Sequence, residues 1–298
     1  MTPPRFERLV IFGVGLLGGS LGLAARRRGI ASHVVGLGRS QERLERARQL
    51  GALDECQTRP QAALAGADAL VLAVPPRQIR EKIPELAPLV EPGAFVTDVG
   101  SVKRGIVEVG QVAFGSSVGF VGSHPMAGSE KTGVVHARSD FYEGCACVVT
   151  PTEHTPEPAL KLALRLWRAL GARMVIATPE RHDQLLAGIS HLPHVVASAL
   201  MQTLGRGWAT PRQVGAMAGG GLIDTTRIAG ADPEMWRQIL SENGPAVRAC
   251  LDRYMDILKE WREALDRPTP DARALGTLFG EGAAVRCSLA LPEHESGE

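Results

Sequence analysis

The chain has 298 residues, 44% of them hydrophobic, enough to bury a sizeable core and to make two domains. Lys+Arg 33 against Asp+Glu 32 leaves a formal net charge of +1, so no bulk field favours nucleic acid or an anionic membrane. Cys56, Cys145, Cys147, Cys250 and Cys287 form no C-x-x-C pair and read as reduced thiols; with no apolar leader and no run of membrane-spanning length, the sequence reads as cytoplasmic.

The apolar run 9–12 reads as a buried strand and 21–28 as a helix. Between them lies Gly13-Val14-Gly15-Leu16-Leu17-Gly18-Gly19-Ser20, a G-x-G-x-x-G pattern in the strand, turn, helix context that gives it meaning. Gly13 allows a sharp turn, Gly15 lets a pyrophosphate approach the backbone, and Gly18 lets the helix pack on the strand. The phosphates would sit on the amides of Leu16 and Leu17, where unpaired N–H groups and the helix dipole favour an anion. A tight turn in another α/β fold is the plainer alternative.

A second strand, 33–37, ends at Gly38-Arg39-Ser40, where an NAD-selective site would place Asp or Glu on the ribose 2′-hydroxyl. No carboxylate is there to repel a 2′-phosphate, and Arg39 and Ser40 could bind one. The expected cofactor is NAD(P), with NADP favoured and NAD tolerated; otherwise Arg39 belongs to a solvated loop. A helix over 41–50 follows. The strand 67–74 is stopped by Pro75-Pro76, so Val74 and its neighbours border the crevice at the carboxyl ends of a doubly wound sheet. The strand 94–99 delivers Ser101 to the same edge, either as the N-cap of the next helix or as a site residue, and the two roles are compatible.

The strand 118–121 delivers Gly122-Ser123-His124-Pro125-Met126-Ala127-Gly128-Ser129-Glu130. His124, pinned by Pro125 among small residues, has the ordinary pKa for proton transfer near neutrality, although a His before Pro in a loop is commonly structural. Strands over 146–149 and 173–177 flank an amphipathic helix over 158–170. Beyond Thr178-Pro179 the periodicity is helical throughout. The expected domains are 1–178, an α/β Rossmann-type unit with a doubly wound, mostly parallel sheet, and 179–298, all-α. His191 and His194 share a helix face if Pro193 permits; their spacing invites a metal, but no third ligand follows, and no metal is expected. Asp232 reads as an N-cap with Pro233 at the first helical position.

Gly13 to Ser20, Asp98 to Lys103, Ser123 to Gly128 with Glu130, and His182 to His194, joined by Asp224-x-x-Arg227 and Asp232-Pro233-x-Met235-Trp236, together resemble the prephenate/arogenate (cyclohexadienyl) dehydrogenase family in its stand-alone form. The likeness runs from residue 9 to about 262; Gly221-Leu222 stands where the family has Gly-Phe. The resemblance implies oxidative decarboxylation of prephenate or arogenate in tyrosine biosynthesis. It implies His124 as proton acceptor, Ser101 orienting hydroxyl or nicotinamide, and Arg227 on a substrate carboxylate. His194 becomes a second polar contact, Glu130 and His191 groups at the mouth or just behind the site, and the helical half the seam of a homodimer. Two rivals stay open. A β-hydroxyacid dehydrogenase would need a Lys in the first long interdomain helix, where 179–207 has none. A non-enzymatic NADP sensor would need neither His124 nor Arg227.

Overall fold

The computed structural model describes residues 4–128, 131–207, 210–266 and 269–289. In chain order the elements are β1 (Phe6–Phe12), α1 (Leu16–Arg27), β2 (Ala31–Leu37), α2 (Gln41–Gln49), β3 (Glu55–Gln57), α3 (Pro60–Leu64), β4 (Ala69–Leu72), α4 (Pro76–Leu86), β5 (Phe95–Asp98), α5 (Arg104–Phe114), β6 (Gly119–Pro125), β7 (Ala146–Thr150), α6 (Glu157–Ala169) and β8 (Arg173–Ile176). Helices then take over: α7 (Pro179–Leu186), α8 (Leu192–Gly205), α9 (Pro211–Met217), α10 (Gly220–Thr226), α11 (Pro233–Glu242), α12 (Gly244–Leu265) and α13 (Ala272–Ser288).

Among the described residues the strands form one sheet in the order β3-β2-β1-β4-β5-β6-β7-β8. Every neighbouring pair is parallel except β6 and β7. The order reverses between β1 and β4, the switch point at which a doubly wound sheet opens its ligand crevice. Both faces are covered by helices, so the central strands read as continuous apolar runs; Leu9, Val10, Ile11, Val35 and Val71 are all fully buried. One layer packs Leu21, Ala24 and Trp167 against one face, the other Ile79, Ile83 and Phe114 against the opposite face.

Three elements escape the sequence reading, one of them the five-residue α3. β3 is a three-residue edge strand too short to show alternation, and α4 is hidden by the prolines at its start and by Pro84 within it. β6 runs four residues past the expected strand end, because 122–125 leaves β5 and pairs antiparallel with β7. His124 therefore sits within a strand, opposite Val148, rather than on the loop after one.

The helix expected after Thr178 is continuous through Gly205 despite Pro193. A π-helical turn, Ala187–His191, joins α7 to α8 and already breaks the i to i−4 pattern where the proline supplies no N–H. This 27-residue helix contains an 18-residue window of mean hydropathy 1.2, long and apolar enough to cross a membrane by length and composition alone, which corrects the expectation that no run reaches that size. It nevertheless carries His182, Asp183 and His191 buried.

Two compact units emerge, 1–247 and 248–298. In the second, the last turns of α12 meet α13: Asp271 caps α13 by accepting from the Ala274 amide at 3.0 Å, and Trp261 packs edge-on against Phe279 with ring centroids 4.7 Å apart.

Candidate active site

The glycine turn has the shape its sequence requires. Gly13 adopts φ +94°, and a Cβ there would lie 2.5 Å from Val74 Cγ1, which seats Val74 at the turn as expected. A Cβ on Gly18 would lie 2.1 Å from the Gly13 carbonyl, so the helix can approach the strand only with glycine here. Gly15, in contrast, has nothing within 4 Å of a would-be Cβ, leaving open space beside the start of α1. No side chain caps α1 and no acid occupies its first turn, so the amides of Leu16 and Leu17 face that space. This arrangement fits a dinucleotide pyrophosphate.

At the end of β2, the Gly38 amide donates to the Gln57 carbonyl at 3.1 Å, and Arg39 is exposed. Ser40 is the N-cap of α2, its Oγ accepting from the Arg43 amide at 3.3 Å. The cap uses an oxygen lone pair and leaves the hydroxyl proton free to donate.

On the far side of the switch point, β5 and β6 bring Ser101 and His124 to the same edge. Ser101 does not cap α5: the N-cap is Lys103, two residues later, and the first amides are held from another element. Asp183 on α7 accepts from the Lys103 amide at 2.8 Å and the Arg104 amide at 2.9 Å. The same carboxylate meets His182 Nδ1 at 2.7 Å, and His182 Nε2 lies 2.8 Å from His124 Nδ1. Helix start, carboxylate and two imidazoles thus form one hydrogen-bonded chain. Asp183's bonds to His182 and the two amides hold its carboxyl below the ordinary value against its burial.

Beneath this chain Lys103 is fully buried, its Nζ donating to Asp98 and, at 2.9 Å, to the Ser123 carbonyl. Asp98 also accepts from the amides of Gly100 at 2.8 Å and Ser123 at 3.1 Å, so one carboxylate ties the Ser101 loop to the strand bearing His124. Burial pulls the Lys103 ammonium down from its ordinary pKa, while Asp98 opposes that shift. His124 is 8% exposed, and its imidazolium is pushed well below the ordinary histidine value by burial, then by His182, Lys103 and His191.

Further along the helix, His194 is half-buried and stacks on Trp236 with centroids 3.7 Å apart; its Nδ1 donates to the Ser190 carbonyl at 2.9 Å, leaving Nε2 free. Arg227 lies exposed on the 3₁₀ turn Arg227–Gly230, and its charge helps lower the His194 pKa after desolvation. His191 is 1% exposed, edge-on to Trp236, with its Nδ1 accepting from Asn243 Nδ2 at 3.1 Å. Of the two places open to it in the sequence reading, the mouth and the layer behind the site, it takes the second. His191 is turned inward and His194 stacks on the same indole, Trp236. Glu130 lies outside the described residues. Among the described residues no group of three or more His, Cys, Asp or Glu side chains could hold a metal.

Sequence reasoning did not single out His182, Asp183, Lys103 or Asn243. The available signal was a His-Asp pair directly after the Thr178-Pro179 helix start, in a segment otherwise apolar.

Three buried histidines with lowered pKa make stability fall with acid. Protonation at the ordinary value of 6.5 favours the unfolded chain, whereas the folded state resists it, for His191 down to about 4. His191 alone should remove about 3 kcal/mol between pH 6.5 and 4, at 1.36 kcal/mol per unit. Urea unfolding across that range should show the decline, and His191→Asn should flatten it; a parallel slope in the variant would refute the assignment.

A glycine cradle at the switch point of a doubly wound sheet, followed by a helix whose His182 and Asp183 reach the histidine at its carboxyl edge, defines a dinucleotide-dependent dehydrogenase architecture. Residues 21–176 match the family model described as the prephenate dehydrogenase nucleotide-binding domain, and 178–279 the model described as its dimerization domain. The chain belongs to the prephenate dehydrogenase family. It is 32% identical to a prephenate dehydrogenase of Bacillus subtilis, over 88% of this chain and 69% of that one. It is 31% identical to a cyclohexadienyl dehydrogenase of Zymomonas mobilis, over 95% and 96% of the two chains. The crystal structure of Aquifex aeolicus prephenate dehydrogenase with hydroxyphenyl propionate and NAD+ superposes with a TM-score of 0.86 at 34% identity, covering 96% of this chain and 97% of that one.

Proposed function

We propose that this protein catalyses the oxidative decarboxylation of prephenate or arogenate with an NAD(P) cofactor, in tyrosine biosynthesis. The observation that carries the reading is His124: a buried imidazole at the carboxyl end of β6, hydrogen-bonded to His182 and pushed well below the ordinary histidine pKa by burial. The dinucleotide, when bound, accepts the hydride from the ring's carbinol carbon as the ring carboxylate leaves as CO2. Aromatisation drives that loss, so the protein's work is to orient the ring and take one proton. His124 accepts the hydroxyl proton at Nε2, the nitrogen not engaged by His182. Ser101 orients the hydroxyl or the nicotinamide. Arg227 binds a substrate carboxylate, for which a bidentate guanidinium suits better than an ammonium, with His194 Nε2 beside it. Glu130 and His191 complete the surroundings.

Gly13, Gly15, Leu16, Leu17 and Gly18 would hold the dinucleotide's pyrophosphate, Val74 would border it, and Gly38, Arg39 and Ser40 would hold its adenosine ribose. The free Arg39 side chain and the free Ser40 proton support NADP over NAD. Residues 1–178 form the dinucleotide-binding domain, and 179–298 supply the substrate groups and the homodimer seam; exposed Ile189 and Met201 on the long helix support such a seam.

Initial rates of the purified protein with prephenate or arogenate, each with NAD or NADP, test the reading. Turnover in any combination supports it; folded protein that binds NADP and turns over neither substrate would overturn it in favour of a sensor. Arg39→Asp should weaken NADP binding by about 10-fold or more, the worth of one charge-assisted phosphate contact, while sparing NAD. Equal losses for both dinucleotides, measured as dissociation constants, would remove Arg39 from the ribose site.

A further inference from the structure

We propose that Asp183 is a positioning residue that sets the tautomer of His124 through His182 and faces, as counter-charge, the cation that His182 becomes when His124 takes a proton. The inference rests on the reading of His124 as base, and deepens it. Asp183 is anchored independently of either imidazole: its carboxylate accepts both amides at the start of α5, and its carbonyl accepts from Asn243 Nδ2 at 2.8 Å. A carboxylate so placed only accepts, so His182 must carry its proton on Nδ1. His182 Nε2 is then a lone pair, and the 2.8 Å contact to His124 requires the His124 proton on Nδ1. His124 Nε2 is left bare. The polarity of α5's first turn is thus transmitted across two rings to the nitrogen that reacts.

The proton inventory closes. The substrate hydroxyl proton passes to His124 Nε2 while the hydride leaves for the dinucleotide. The His124 Nδ1 proton passes to His182 Nε2, and His182, now cationic, keeps its Nδ1–H against the Asp183 carboxylate. When product departs, the steps reverse and the proton leaves from Nε2. The cation thereby comes to lie against a carboxylate, although Lys103 opposes charge on both rings. Groups facing the two rings are Lys103, His191, Asp98 and Asp183.

Two measurements test this. NMR of isotope-labelled imidazole nitrogens in the unmodified protein, assigned by difference against His124→Asn, should show His124 protonated on Nδ1 and bare on Nε2; the opposite tautomer would overturn the proposal without any variant having to fold. Asp183→Asn preserves shape but removes the charge and can donate as well as accept, so His124 should become a mixture of tautomers. Its kcat should fall by about 100-fold, in the range of a positioned acid–base group, with KM and dinucleotide affinity within about twofold. The acid limb of kcat/KM should also move to lower pH, because the carboxylate that favours imidazolium is gone; a purely structural residue would not move that limb. A kcat within about threefold of the parent would sink the proposal. Failure here is separable from failure of the base reading, which falls only if His124→Asn itself remains active.

Discussion

His124→Asn should lower kcat by about 30- to 1,000-fold, the equivalent of about 2–4 kcal/mol of transition-state stabilisation, while leaving the fold and dinucleotide binding intact. The asparagine amide can still donate toward His182 Nε2 from near the position of Nδ1, so the buried contact at 2.8 Å need not be lost. What it lacks is a basic nitrogen on the substrate side. Without it the carbinol proton has no acceptor as hydride leaves, and the effect belongs in kcat, not in KM. Steady-state kinetics at saturating dinucleotide, with substrate affinity measured separately, decides the matter. A near-parental kcat would show that the hydroxyl proton leaves by another route, and His124 would lose its assignment.

The glycine turn and His124 are legible in the sequence because their meaning is local. Gly13, Gly15 and Gly18 sit between a strand and a helix that short-range patterns identify; Gly18 answers to the nearby Gly13 carbonyl and Gly15 to open space, and Gly13, at φ +94°, makes the turn that meets Val74. The hydrogen-bonded chain behind His124 is not legible, because its members meet across 58 and 80 residues of sequence. Asp183 shows this plainly. Next to His182 on a helix it looks like a solvated acid, yet it caps a different helix, and that distant cap is why the cap expected of Ser101 is absent. Pro193 misleads in the other direction. It reads as an interruption, whereas a π-helical turn just before it keeps the helix continuous, and both histidines meet Trp236, His191 buried and edge-on, His194 stacked. The apolar periodicity that finds helices is blind to such a turn, since one inserted residue shifts the register without changing composition.

The Lys103–Asp98 pair should produce the largest stability effect. Both side chains are fully excluded from solvent, so removing one leaves a buried charge without its ion-pair partner. Lys103→Met keeps the volume and strands Asp98 with only the Gly100 and Ser123 amides, which predicts a loss of about 3–5 kcal/mol. Combining it with Asp98→Asn should recover part of that loss, because the side chain left behind is neutral and its oxygen still accepts a backbone amide. Denaturant unfolding of the two single variants and the double variant gives the coupling directly. If the losses simply add, the pair is not the electrostatic unit its geometry describes. Where the double variant folds, its kinetics carry a second consequence. Lys103 is one of the charges that hold His124 neutral, so its removal should raise the pH at which kcat/KM begins to fall on the acid side. Asp98→Asn alone leaves that ammonium in place and should not raise it. The same buried cation thus steadies the two strand ends and keeps the base nitrogen of His124 unprotonated at neutral pH.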